Sequence, residues 1–136
     1  MDVAELNSLT RAEAGTALAA CCSSGVWVDR MTAARPFSSA TAILTTAEEV
    51  WWDLGADDWV EAFGAHRAPS QFGASTDYEE QFGYPYLAFS ADRSTQELDA
   101  LHQERLGHDP LAEMSVTAAE QARLTNLELR RLLGSV

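Results

Sequence analysis

Helix-start punctuation recurs along this chain and limits what it can fold into more than any other feature. Thr10-x-x-Glu13, Asp58-x-x-Glu61 and Ser94-x-x-Glu97 each place an oxygen-bearing side chain three residues ahead of a glutamate. In that pattern the two side chains reciprocally satisfy free N–H groups of a first helical turn. Asp109-Pro110 adds another start, with proline at the first helical position. Apolar residues between these signals recur three and four apart, the period of a helix with one buried face.

The spacing predicts a helix over 11–22, with Ala14, Leu18 and Cys21 on one face, broken by Ser23-Ser24-Gly25. A short helix over 26–34 carries Trp27 and Met31 and stops at Arg35-Pro36, because the residue before proline avoids the α region. Ser38 or Ser39 starts the next, which reaches Leu54 through Ile43, Ala47, Val50 and Trp51, with Gly55 placed to close it. Asp57 or Asp58 then opens a helix that puts Trp59, Phe63 and His66 on one face. The pattern dissolves into a loop over 67–76. A short helix over 77–82 ends at Gly83, and Tyr86-Leu87-Ala88-Phe89 follows as an apolar extended stretch with no partner strand in sight. Its backbone N–H and C=O groups need partners from elsewhere. A helix from Ser94 to Gly107 and a longer one from Pro110 to Gly134 complete the chain, the latter with Leu111, Met114, Ala118, Ala122 and Leu129 as its buried side. The expectation is an all-α fold: a compact bundle of six or seven helices with one buried extended connector, in a single domain over 1–136.

With 136 residues, 46% of them hydrophobic, the chain can bury a core without staples. No apolar run approaches the roughly 20 residues of a membrane span, and the first residues lack a basic stretch followed by an apolar one. A cytoplasmic protein with no membrane partner is expected. The net charge of -12 repels phosphate backbones and argues against nucleic-acid binding. All nine basic residues are arginine, a bias read as composition. The two cysteines, Cys21 and Cys22, are adjacent, which fits no zinc spacing and would strain a disulfide. One buried and one partly exposed thiol are expected.

His66 is the most informative single residue for chemistry. It ends an apolar helix face just before an irregular loop, and an imidazole near neutrality can give and take a proton in one cycle. The plainer reading is a histidine that caps the last turn of its helix. His102 and His108 read as solvated, the acidic residues as solvated helix faces, and Trp27, Trp51, Trp52 and Trp59 as core. No His-Glu-x-x-His run, nucleophile elbow, P-loop or dinucleotide fingerprint is present.

Several strings, in order, resemble one family. Cys21-Cys22-Ser23-Ser24-x-x-Trp27, Met31-Thr32-Ala33-Ala34-Arg35-Pro36-Phe37, Trp51-Trp52-x-Leu54 and Asp58-Trp59-Val60-Glu61-Ala62-Phe63-x-Ala65-His66 resemble the N-terminal half of decarboxylases of 2-oxo-4-hydroxy-4-carboxy-5-ureidoimidazoline (OHCU). Tyr78-Glu79-x-x-Phe82-Gly83-Tyr84-Pro85-Tyr86, Arg93-Ser94-x-x-Glu97-Leu98, Arg105-Leu106-x-His108-Asp109-Pro110, Glu113 and Glu120-Gln121 resemble the C-terminal half. The resemblance implies an all-α, commonly homodimeric enzyme of urate and purine catabolism. It would take a small-molecule substrate, need no cofactor, and release CO2 to leave (S)-allantoin. It further implies that His66 is the catalytic histidine and that the backbone of Tyr86, Leu87, Ala88, Phe89 and Ser90 meets the substrate.

The chain also departs from the family pattern. Arg67 follows His66 where the family has proline. Only a short loop stands where a longer segment carries a Glu-Gln pair. Glu128, in Leu127-Glu128-Leu129, replaces a substrate-binding arginine. Arg67 or Arg93 is the candidate for the displaced positive charge. Two alternatives follow: a catalytically impaired relative that serves as a helical binding or scaffold partner, and a generic acidic helical interaction module.

Overall fold

The computed structural model describes residues 1–66 and 76–134. The predicted loop, Arg67 included, lies outside the described residues apart from Thr76. Among the described residues there are eight helices: α1 (Val3–Ser8), α2 (Arg11–Ala19), α3 (Gly25–Ala33), α4 (Ala40–Trp52), α5 (Ala56–Gly64), α6 (Thr76–Phe82), α7 (Thr95–Leu106) and α8 (Pro110–Leu132). Among the described residues there is no strand, so the fold class is all-α, as expected. None of these helices is long and apolar enough to cross a membrane.

The count exceeds the expected six or seven because α1 forms a helix of its own. Asp2 caps it and Glu5 returns the bond to the Asp2 backbone, a capping box the sequence reading passed over. The boxes at Thr10 and Ser94 and the caps at Ser39 and Asp109 form where expected. The box at Asp58 does not. Gly55 is the N-cap of α5, and Asp57 and Asp58 lie within the first turn, where they complement the helix dipole. Glu61 is not free to fold back, because its Oε1 accepts the Gly25 N–H at 2.7 Å and ties α5 to the start of α3. With Gly55 committed to the start of α5, α4 ends at Trp52 rather than Leu54, and Asp53 is its C-cap. α2 stops at Ala19 rather than Cys22, and the Leu18 carbonyl then accepts both the Cys21 and Cys22 N–H groups.

α3 packs against α2, α4 and α5, and α8 packs against α4 and α5. Trp27, Met31, Ile43, Phe63 and Leu129 are fully buried where these helices meet, and each such side chain contributes about 1.5–3 kcal/mol of transfer free energy. The indoles also fasten helices together. Trp27 Nε1 donates to the Ala47 carbonyl at 3.3 Å, and Trp51 Nε1 to the Ala118 carbonyl at 3.0 Å.

Three packing expectations need correction. Both thiols are buried, Cys22 included, because the shortened α2 turns the pair inward. Trp52 is 46% exposed, lying on the outer side of α4 with its Nε1 bonded to Glu48. Leu111, 84% exposed, sits in the first turn of α8, beyond the layer of helices that covers the rest of its apolar side.

Candidate active site

The end of α5 sets the position of His66. Ala62 and Phe63 are fully buried and anchor the last turn, and the His66 N–H bonds the Phe63 carbonyl at 3.1 Å. His66 as a residue is exposed, yet its ring is held. Nε2 lies 2.8 Å from Oε1 of Gln121, which is 1% exposed, and Gln121 Nε2 donates to Thr125 Oγ1 at 3.0 Å. One edge of the imidazole is thus tied into the core through α8, while Nδ1 has no partner among the described residues.

Glu120, the residue before Gln121, holds the extended connector. Its Oε1 accepts the Phe89 N–H at 2.9 Å and pairs with Arg93, whose Nη1 also donates to the Phe89 carbonyl at 2.9 Å. The extended connector is therefore pinned by side chains, as its unpaired backbone requires. A second clamp grips it two residues earlier, at Leu87. Arg105, fully buried, donates from Nη1 to the Leu87 carbonyl and from Nε to Glu113 Oε2 at 2.8 Å, and its guanidinium lies 4.5 Å from the Tyr86 ring centroid. Glu113 is fully buried too. It accepts from the Tyr78 hydroxyl and meets His108 Nδ1 at 2.9 Å, while Thr117 Oγ1 accepts from Arg105 Nη2 at 3.1 Å. Among the described residues the N–H and carbonyl of Ala88, between the two clamps, have no hydrogen-bond partner.

His66 and the 86–90 segment thus converge on successive residues of α8. Leu87 is buried, Tyr86, Ala88 and Phe89 are half-buried, and Ser90 is exposed. Arg93 is engaged with Glu120, and Arg67 lies outside the described residues. Glu128 is partly exposed and pairs with Arg131 at 3.0 Å. The solvated readings of His102 and His108 do not hold. His102 packs edge-on to Tyr86 with a buried Nε2 that lacks a partner among the described residues, and His108 leans on Glu113. Glu113 and Glu120 likewise leave the solvated class. Arg105, Glu113, Glu120 and Gln121 enter the sequence reading only inside the strings that resemble the family, with no role, and Thr125 does not enter it. For the four on α8 the signal is polar residues interleaved with Ala118, Ala122 and Leu129 on its inward side.

Burial sets the titration of this region. It pushes the Cys21 thiol up to about 12 from 9.0, with the charge of Glu128 adding to the shift. It also raises Cys22, and it raises the hydroxyls of Tyr78, Tyr84 and Tyr86 above 10.0. Burial alone would lower Arg105, but its hydrogen bond to Glu113 and that carboxylate's charge raise it. Each raised acid keeps its proton in the folded chain at pH values where the unfolded chain has lost it. Their contribution to stability is complete below the unfolded thiol value near 9.0 and is lost as pH climbs toward the folded values. We therefore expect urea midpoints that fall as pH rises from about 9 to 11, and a shallower fall in Cys21→Ala. An equal slope in the two proteins would show that the thiol is hydrated.

An imidazole tethered to Gln121 and an extended segment held by Glu120 and Arg105, all on a helical scaffold, define the class as a small all-α protein with a histidine and a pinned connector both anchored to its longest helix. The sequence profile of the OHCU decarboxylase family matches residues 7–68 and 73–130, and the chain belongs to that family. It is 25% identical over 148 residues to the uric acid degradation bifunctional protein TTL of Arabidopsis thaliana, covering 84% of this chain and 45% of that one. It therefore spans about half the length of that relative. Among solved structures, an OHCU decarboxylase crystallised in the presence of (S)-allantoin superposes with a TM-score of 0.74 at 24% identity, over 85% of this chain and 96% of the other. An (S)-allantoin synthase superposes at 0.78 and 16% identity, over 100% and 54%. At these identities the two structures establish the shared fold.

Proposed function

We propose that the chain decarboxylates OHCU to (S)-allantoin, with His66 as general acid/base. The convergence of His66 and the 86–90 segment on Gln121 and Glu120 carries this reading. As CO2 leaves, the electron pair of the C–CO2⁻ bond passes into the neighbouring C=N bond of the ring, whose nitrogen takes a proton from solvent. His66 accepts the proton of the substrate hydroxyl as the ring carbonyl forms and returns it to the ureido-bearing carbon. Charge balances without an added electron sink. A proton delivered from one fixed side yields one hand of product. The Ala88 peptide, without a partner among the described residues, supplies a donor and an acceptor for the substrate ring, and Tyr86, Leu87, Phe89 and Ser90 shape the ledge around it. Arg67, next to His66 in sequence, is the candidate for holding the carboxylate. Arg93 contributes by keeping the ledge in place.

The same reading makes the protein a cytosolic homodimer of single domains over 1–136, which light scattering on the purified chain tests. The deciding experiment supplies freshly generated OHCU and follows circular dichroism of the allantoin formed. Decay above the spontaneous rate with optically active product supports the assignment. Decay at the spontaneous rate, with the protein folded, overturns it. The engagement of Arg93 by Glu120, together with Glu128 at the position of a family arginine, favours a second reading: an impaired relative retained as a binding partner. That reading predicts the spontaneous rate.

A further inference from the structure

His66 can act from either ring nitrogen, and the neutral imidazole carries its proton on only one of them. Gln121 faces Nε2, but an amide offers an oxygen to a donor or an NH2 to an acceptor, so Gln121 alone decides nothing. Its other partner decides. Thr125 lies one turn along α8, and its oxygen accepts from Gln121 Nε2 at 3.0 Å. Gln121 and Thr125 are both at least nine-tenths buried, so water does not compete for this bond. With its NH2 committed to Thr125, the amide turns Oε1 to the histidine at 2.8 Å, and only a protonated Nε2 can donate to it.

We propose that Gln121 and Thr125 are positioning residues that hold the proton of His66 on Nε2 and leave Nδ1 as the nitrogen presented to substrate. The inference rests on the reading of His66 as the acid/base. An amide does this without adding a charge beside an anionic substrate. A carboxylate at position 121 would orient the ring equally well and repel that substrate. The relay runs one way: His66 Nε2–H to Gln121 Oε1, and Gln121 Nε2–H to Thr125 Oγ1. Its direction is lost if the hydroxyl is removed, although the shape of the residue is kept.

The test reads the resting protein by 15N NMR with labelled histidine, without substrate, and then measures turnover. In the wild type we expect the His66 proton on Nε2. Thr125→Val, similar in shape, should convert this to a mixture of tautomers and lower kcat by about tenfold or more with KM little changed, since a mis-set proton acts in the transition state. Thr125→Ser, which keeps the hydroxyl, should restore the Nε2 form. A wild-type proton on Nδ1 overturns the proposal, as does a Thr125→Val protein whose tautomer is unmoved. A wild type with the proton on Nε2 and the Thr125→Val shift but no turnover upholds the relay and removes the enzymatic reading instead, so the two failures are distinguishable.

Discussion

His66→Asn is expected to slow OHCU consumption by about 10²–10⁴-fold, the range that a positioned acid/base supplies, and to leave racemic allantoin. Asparagine keeps a polar atom near Gln121 and removes only the titratable ring, so the variant should fold with an unchanged urea midpoint: the residue is exposed, and Phe63 and Ala62 bury the turn that carries it. The loss should fall on kcat rather than KM, because the ring acts as the protons are transferred and not when the substrate docks. Loss of handedness is the sharper readout. Spontaneous decay sets a floor under the rate, but that background gives both hands of product, so optical activity reports catalysis alone. Optically active allantoin at the wild-type rate from the asparagine variant would move the acid/base to another group. His102 and His108 would then be the groups to examine, since both are drawn into the buried network around the 86–90 segment.

What a sequence can announce is what neighbours along the chain decide. The boxes at Thr10 and Ser94 were legible because both partners lie within one turn. Asp2 and Glu5 obey the same rule and were equally readable. Asp58 and Glu61 show its limit, since the glutamate finds Gly25, 36 residues away, and the local pattern loses to a distant donor. The connector at 86–89 was readable as a stretch in need of partners. Which partners was not readable, because the Leu87 carbonyl is served from Arg105 and the Phe89 N–H from Glu120, 18 and 31 residues on. Charged residues are ordinarily solvated, so buried glutamates on α8 look like a wet face until the arginines arrive. His66 was found because its chemistry is rare in this chain. Gln121 and Thr125, which hold it, are common residues whose importance lies in the direction of their hydrogen bonds.

Glu113→Ala should cost about 3–5 kcal/mol of folding free energy, roughly a third or more of what a domain of this size commands. The reason is less the lost attraction than what remains behind. Arg105 is fully buried and always charged, and without Glu113 its guanidinium keeps a carbonyl and a hydroxyl but no counter-charge. Tyr78, whose hydroxyl bonds the same carboxylate, loses that acceptor and is left with Thr117 Oγ1 at 3.1 Å. Urea unfolding should show a lower midpoint with an unchanged slope. Arg105→Met combined with Glu113→Leu removes both charges and should be less harmful to stability than Glu113→Ala alone, since an apolar pair avoids the uncompensated ion. Stability and function then separate. The double variant regains much of its midpoint, yet the Leu87 carbonyl has lost the Nη1 donor that fixes the ledge, so turnover should stay depressed. A loss below about 1 kcal/mol in Glu113→Ala would mean that water reaches Arg105 and that the clamp is not dry. A double variant as active as the wild type would show that the ledge holds its shape through Glu120 and Arg93 alone.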